Sequence, residues 1–460
     1  MFDTLSDAGV VDVITEAARA QNVQCARELA AIGELYARRA PADDDQRCSW
    51  AADGHDNVVA EVAAALRISR GRAAARLQYA IALRDRLPRV AKVFARGDID
   101  FRLIAAVVYR TDLVEDPELL AKLDTTLARY APSWMRLSAP KLIARIDSWV
   151  AEFDPAGTRL PGNRTQDRYV EFLPAGPGLA GFYAQLHATD GDALDRTLDA
   201  LAATVCRADP RTKNQRRADA LGALAAGLQG PRCLCGGPEC PAAQRPAGAR
   251  VVLHVLAEQP ALTGDSPVPG YLAGFGPLPA PVLRELAGSV TIKPLTLPPD
   301  HAEPGYRPSA ALAQFIRFRD LTCRFPDCDQ PAEVCDIDHS VPFPVGPTHA
   351  SNLKLLCRHH HLLKTFWSWR DQQLADGTVI WTAPTGHTYT TKPFGALMFP
   401  ALAVPTGVLV SPTTTTPSPS QHRTLMMPTR KRTRAQDKNA RISWERGINE
   451  ARMAADPPPF

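Results

Sequence analysis

Aromatic residues are scarce in this chain, 7% of 460, and it contains no apolar run approaching the roughly 20 residues that a membrane-spanning helix needs. The first residues are not expected to form a secretory leader. Met1–Gln21 carries Asp3, Asp7, Asp12 and Glu16 and lacks an apolar stretch, whereas a signal peptide has a basic start and an apolar centre. Nor is there an excess of one charge: 53 Lys and Arg face 49 Asp and Glu, a net +4, so total charge selects no partner. These absences lead to the expectation of a cytoplasmic protein with no membrane partner. In a reducing compartment its ten Cys are expected as thiols or metal ligands rather than disulfides. The chain is too long for one ordinary core, which implies two or three domains.

Helical spacing dominates the first third. Val10, Val13, Ile14, Leu29, Ile32 and Leu35 predict one helix from Asp7 to about residue 40, and an acidic break, Asp43-Asp-Asp45, follows. Two more helices join at Arg67-Ile-Ser-Arg70, with Ser69 placed to cap the second. That pattern is open to a helix-turn-helix reading and to an ordinary helical hairpin. Further helices are expected near 117–130 and 138–153. After Gly157 the pattern changes. Residues 168–173 and 180–186 alternate around Pro174-Ala-Gly-Pro-Gly178 as a hairpin. Helices near 191–206 and 215–229 follow, then a strand at 250–256 and a helix at 309–321. A Pro/Thr/Ser-rich linker at 411–420 precedes a segment with nine basic residues between Arg423 and Arg452, for which binding to a phosphate backbone is expected. Helical character is visible at 434–455.

The chemistry is concentrated between Cys323 and Lys364. Five of the eleven His and four of the ten Cys fall between residues 323 and 361. Cys323 and Cys328, then Cys357 and His360, form two ligand pairs suited to tetrahedral zinc, so these four are expected to bind a structural ion. Asp338, His339, Asn352 and His361 remain. Neighbouring helical residues point about 100° apart, so His360 can face zinc while His361 faces a second site. A hard carboxylate and an imidazole, Asp338 and His361, suit Mg2+ or another divalent cation. His339 is the natural general base for hydrolysing a phosphodiester. Asn352 fits either of two roles, orienting partner or third metal contact. Arg358 and Lys364 are the candidates for phosphate contact.

The order Asp338-His339, Asn352, Cys357-x-x-His360-His361-x-x-Lys364 resembles the HNH, or ββα-metal, nuclease motif. That resemblance implies His339 as general base, Asp338 and His361 as metal ligands and Asn352 as the orienting residue. The wider chain is similar to the actinobacterial thirteen-E-twelve repeat family, in which a helical domain of unknown function precedes an HNH module. The matching residues are Leu87-Pro88, Gly97-Asp-Ile-Asp100, Arg217-Ala-Asp219, Arg434-Ala-Gln436 and Glu445-Arg446. Asp327 stands where Gly is usual before the second Cys, and His359 where a basic residue is usual.

A second group, Cys233, Cys235 and Cys240, has three thiols, and His254 on the following strand is the candidate for a fourth ligand of a second zinc. A Gly/Pro loop with incidental thiols is the competing reading.

The sequence therefore implies an α+β protein: a helical domain over 1–156, a mixed strand/helix segment over 157–305, a zinc-stapled ββα-metal domain over 306–395, and a linker with a basic tail over 404–460. Its expected activity is metal-dependent cleavage of DNA, with RNA as another possible substrate. The alternatives are a nucleic-acid-binding protein whose HNH fold does not cleave, and a structural zinc module in a protein–protein adaptor.

Overall fold

The structure is a computed structural model that describes residues 2–39, 46–159, 168–246, 254–272, 275–287, 291–403, 405–406 and 426–455. It is a mixed α+β protein, mostly helical with small sheets. In chain order the first seven helices are α1 (Asp7–Ala37), α2 (Gly54–Leu66), α3 (Arg70–Ile81), α4 (Pro88–Ala95), α5 (Phe101–Arg110), α6 (Pro117–Trp134) and α7 (Ala139–Phe153). A second stretch holds β1 (Tyr169–Gly176), β2 (Leu179–Gln185), α8 (Ala188–Ala202), α9 (Lys213–Ala225), β3 (Val255–Leu256), α10 (Gln259–Thr263), β4 (Gly270–Leu272), β5 (Gly276–Leu278) and α11 (Ala280–Ala287). The last elements are α12 (Ala310–Asp320), β6 (Cys335–His339), β7 (Leu353–Cys357), α13 (Arg358–Phe366), β8 (Arg370–Gln373), β9 (Val379–Thr382), β10 (Thr388–Thr391), α14 (Phe394–Met398) and α15 (Arg434–Ala455). These elements form two compact units: residues 1–160 together with 294–460, and residues 161–293.

In the first unit, α1 to α7 surround one apolar core built from Leu29, Val59, Leu77, Phe94, Ile104, Leu127 and Ile146 with their neighbours. Turn chemistry explains where the helices begin. Pro88 starts α4, where a missing N–H costs nothing, and the Asp124 carboxylate accepts from the Arg89 and Val90 amides at 2.9 and 3.0 Å. Gly97 has φ +80°, and an added Cβ would lie 2.8 Å from the Arg19 carbonyl, so only glycine makes this turn without strain. Asp98 then pairs with Arg19, and Asp100 caps α5 through the Leu103 amide at 2.8 Å. Gly97-Asp-Ile-Asp100 is thus a turn and a helix cap. Ser69 occupies the N-cap position of α3 but makes no side-chain capping bond. The apolar spacing at the start of α1 leads to partial burial, with Val10 and Val13 half-buried and Ile14 exposed.

The basic tail packs against the helical domain over part of its length. Ile442 of α15 is buried, and five of the nine basic residues, Arg430, Arg434, Lys438, Arg441 and Arg446, pair with acidic side chains of the helical domain. Arg430 and Arg434 clamp Asp53 and Asp56 of the α2 capping box, Arg441 pairs with Asp112, and Arg446 with Asp154. Two adjacent carboxylates repel unless a cation lies between them, so the arginines gain more here than in water. Arg423 lies outside the described residues.

Two tests follow from this packing. Arg446 donates to the Leu113 carbonyl and to both Asp154 oxygens, so Arg446→Ala leaves a buried carboxylate without its cation. A loss of about 1–3 kcal/mol in urea unfolding is expected, with only partial recovery in Arg446→Lys, which lacks the planar fork. His55 provides the second. Burial, together with Arg434, pushes its imidazole down to about 4 from 6.5. The folded state therefore resists a proton that the unfolded chain accepts below 6.5. The associated stability is complete above pH 6.5 and falls away as pH drops toward 4, by up to about 3 kcal/mol. A His55→Gln chain should show a smaller decline than wild type across that window. Parallel declines in thermal unfolding would rule out His55 as the cause.

In the second unit, β1 and β2 form an antiparallel hairpin whose residues are largely exposed. Arg217 of α9 pairs with Asp195 and Asp199 of α8, and Asp219 pairs with Arg211. A three-stranded β3–β4–β5 sheet packs with α10 and α11 around Ala261, Leu278 and Leu283. The strand expected over 250–256 is seen as Val255–Leu256, residues 250–253 lying outside the described set. Among the described residues no helix is long and apolar enough to cross a membrane.

Candidate metal centre

The Cys/His segment folds as two antiparallel strands and a helix. In the β6–β7 pair, Cys335 stands opposite Cys357, Asp338 opposite Lys354 and His339 opposite Leu353. The chain enters α13 directly from Cys357. Asp320, completely buried at the end of α12, anchors the module: it accepts from the Leu355 amide at 2.9 Å and pairs with Arg319 and Arg324. Arg324 in turn donates to the carbonyls of Gly377 and Thr391, fixing the β8–β9–β10 sheet to the strand pair. Trp367 and Trp369 donate to Ala52 O and Asn57 Oδ1, at 2.7 and 3.0 Å. The module is thereby joined to α2 within one compact unit.

Cys323, Cys328, Cys357 and His360 each bring a ligand atom within 4.8 Å of the others. His360 Nδ1 lies 3.5 Å from Cys323 Sγ and 3.3 Å from Cys357 Sγ. Its ring stacks on Phe325 with centroids 4.0 Å apart. Three thiols and one imidazole at this spacing fit a tetrahedral ion and could hold zinc. Asp327, with φ +55°, makes the left-handed turn that brings Cys328 back toward Cys323. Asp tolerates this conformation better than most side chains, which accounts for its standing where Gly is usual.

The roughly 100° step between neighbouring residues of α13 sends its three consecutive histidines in different directions. His359 is set against the helical domain, where burial pushes it down to about 4 despite Asp56. His360 faces the thiols. His361 faces β6: its Nδ1 is 3.0 Å from Asp336 Oδ2, and its Nε2 is 3.4 Å from Asp338 Oδ1.

Asp338 sits in a buried ionic cluster that sequence reasoning missed. Its Oδ2 accepts from Lys354 at 2.8 Å and from Lys364 at 2.6 Å, and both lysines also pair with Asp371. Burial works to raise the Asp338 carboxyl, but the two ammonium groups outweigh it and hold the group well below the usual carboxylate range. Lys354 is fully buried, and desolvation lowers its pKa against the pull of both carboxylates. Lys364 also donates to the His339 carbonyl at 2.7 Å. Its charge is consumed inside the module, and the phosphate contact expected of it has no free ammonium behind it. Arg358, in contrast, is exposed and among the described residues pairs with Asp336, at 3.4 Å.

His339 is buried, 7% exposed, with Nε2 2.9 Å from Thr348 Oγ1. Thr348 in turn donates to the Tyr306 carbonyl at 3.4 Å, and the Tyr306 ring stacks on the imidazole at 5.3 Å. Burial lowers the pKa of His339 in spite of Asp338. Asn352 uses its whole amide on one loop: Oδ1 accepts from the Val341 amide, and Nδ2 donates to the carbonyls of Val341 and Pro347. The sequence offered no signal for Tyr306, Lys354 or Asp371, because each matters only through where the fold puts it.

Two other groupings contain metal-binding side chains. Asp53, His55 and Asp56 lie together, but their carboxylates are taken by Arg430 and Arg434. In the second unit, Cys233, Cys235 and Cys240 are joined by Cys206 and not by His254, which is exposed ahead of β3. The correction has a spatial cause: Cys206 follows α8 and is 27 residues from Cys233, a separation at which ligand spacing is not readable.

Comparison with known proteins places these observations in a family. Two proteins of Mycobacterium tuberculosis strain H37Rv are similar along nearly the whole chain. The uncharacterized protein Rv2100 is 47% identical over 503 aligned residues, covering 99% of this chain and 90% of its own. The uncharacterized protein Rv3776 is 45% identical over 469, covering 96% and 90%. No solved structure matches. The family model described as "Domain of unknown function (DUF222)" matches residues 16–320 and ends just before the Cys323 cluster. The chain belongs to the DUF222 family.

Proposed function

We propose that this protein is a cytoplasmic, metal-dependent endonuclease that hydrolyses phosphodiester bonds of DNA. In this reading it belongs to the thirteen-E-twelve repeat group, with an HNH (ββα-metal) module following its helical region. The observation that carries the reading is the approach of Asp338 Oδ1 to His361 Nε2, 3.4 Å apart, next in sequence to the buried His339. Ligands about 2.1 Å from one cation stand roughly 3.0 Å apart at a right angle and roughly 3.4 Å apart at the tetrahedral angle. The oxygen and nitrogen therefore suit one divalent ion, Mg2+ or a transition metal. When bound, such an ion supplies positive charge to the developing transition state and the leaving oxygen.

The surrounding residues do the rest. In this mechanism Thr348 sends its hydroxyl hydrogen to Tyr306 O and its oxygen accepts from His339 Nε2–H, across contacts of 3.4 and 2.9 Å. The lone pair of the neutral imidazole then lies on Nδ1, the atom that takes the proton of the attacking water. Asn352 holds the Val341–Pro347 loop and acts as a positioning residue. Lys354, Lys364 and Asp371 fix the Asp338 carboxylate so that Oδ1 faces His361. Arg358 is the side chain left to meet a phosphate.

A second reading, a nucleic-acid-binding protein that does not cleave, is favoured by Tyr306, whose ring covers His339. A plasmid-nicking assay across several divalent metals separates the two. Metal-dependent nicking by wild type and none by His339→Ala supports the nuclease. Binding without nicking under every metal supports the second reading.

A further inference from the structure

We propose that Cys206, Cys233, Cys235 and Cys240 hold a second, purely structural zinc ion in the 161–293 unit. One sulfur from each lies within 4.8 Å of the other three. Cys206 Sγ and Cys233 Sγ are 3.5 Å apart, and all four are free thiols. A disulfide would bring two sulfurs to about 2.05 Å. Thiolates about 2.3 Å from a tetrahedral zinc lie roughly 3.8 Å from each other, the range found here.

The local architecture supports an ion over incidental thiols. Cys206 comes from the turn after α8, and the other three from a loop that doubles back on itself. There the Cys233 amide donates to Ala242 O at 2.9 Å and the Cys240 amide to Gly237 O at 3.2 Å. The Gly237 amide is directed at Cys235 Sγ, 3.4 Å away, and such a donor stabilises a thiolate ligand. Gly236, at φ +68°, makes the turn between those thiols. Arginines tie the frame from outside: Arg211 bonds Asp209 and Arg232 O, while Arg245 bonds Thr204 and Pro231 O. The apolar material at the centre is only Val205, Cys233 and Ala242, bordered by Ala243 and the remaining three thiols. Three small side chains cannot offset the entropy of ordering two loops, whereas a zinc ion can. Four protein thiolates leave no open coordination position, so the ion holds the end of α8 to the loop that follows α9 and takes no part in catalysis.

Zinc content of the full-length chain, purified under reducing conditions without chelator, tests the assignment. Cys206→Ser should carry one zinc fewer per chain than wild type, Cys206→His should keep it, and His254→Ala should match wild type. Zinc unchanged in Cys206→Ser, or lost in His254→Ala, overturns the proposal, as does iron in place of zinc or a disulfide among these cysteines. If Cys206→Ser does not fold, alkylation of the wild type decides. The four thiols must resist the reagent until a chelator strips the metal, and their modification as fast as Cys25 with zinc still bound overturns the site.

Discussion

His339→Ala is expected to lower DNA cleavage by about 10²–10⁴-fold, the usual contribution of a positioned general base, while DNA affinity and zinc content stay at wild-type levels. The ring contacts none of the four zinc-suited ligands, and the nearest of the ionic pairs uses its backbone carbonyl, which alanine retains. Thr348→Val should give a smaller loss, because it removes the acceptor that places the imidazole hydrogen on Nε2 but leaves the ring itself in place. Cleavage by His339→Ala at the wild-type rate would exclude the mechanism. His361→Ala is a cleaner probe of the catalytic cation than Asp338→Ala. His361 is partly exposed and faces two carboxylates, whereas removing Asp338 also strips a partner from two buried lysines. His361→Ala should therefore need more metal to reach a given rate, with little change in unfolding. Asp338→Ala should lose stability as well, so its lost activity would not by itself identify a metal ligand.

The second large effect concerns the Cys323–His360 group. Cys323→Ser is expected to remove one zinc per chain. The expected cost is on the order of several kcal/mol, given that structural zinc contributes apparent folding energies of roughly 10 kcal/mol or more. The loss should reach beyond the small module. Phe325 stacks on His360 and packs against Trp369 and Trp381, and Trp369 is bonded to Asn57 of α2. Thermal unfolding followed by helical signal should shift together with tryptophan fluorescence, since all seven tryptophans and most of the helices belong to the same compact unit. A Cys323→Ser chain that keeps its zinc and its unfolding midpoint would remove the site from the account.

The short segments on which the resemblance to the thirteen-E-twelve repeat family rests have structural roles in this fold. Gly97-Asp-Ile-Asp100 is a turn followed by a cap, Arg217-Ala-Asp219 clamps α9 to its surroundings, and Arg434 and Arg446 neutralise Asp53, Asp56 and Asp154. In each case a charge or a left-handed turn holds elements together, and none of these residues contacts the metal centre.

Much of this could be read locally in the sequence. Helical periodicity gave most helices to within a few residues, because a helix facing a core repeats its apolar residues every three or four positions. The Cys323–Cys328 and Cys357–His360 pairs were readable for a similar reason: ligand spacing within a turn or a helix is a short-range property. Where the register was ambiguous, at His359, His360 and His361, only the packing of α13 between the helical domain, the thiols and β6 assigns each ring its surroundings. The same holds for Cys206, brought to its three partners by a loop closure that no spacing encodes. It holds also for the basic tail, which composition presents as a solvated arm but whose arginines meet carboxylates some 290 to 380 residues earlier. Lys354 and Lys364 make the point most directly. In sequence they are two ordinary cations near a histidine cluster, and burial beside Asp338 and Asp371 turns them into the frame of the site. Charge and ligand type are fixed by the residue itself. Which partner receives them, and whether water is present, depends on long-range packing and is settled only in the folded chain.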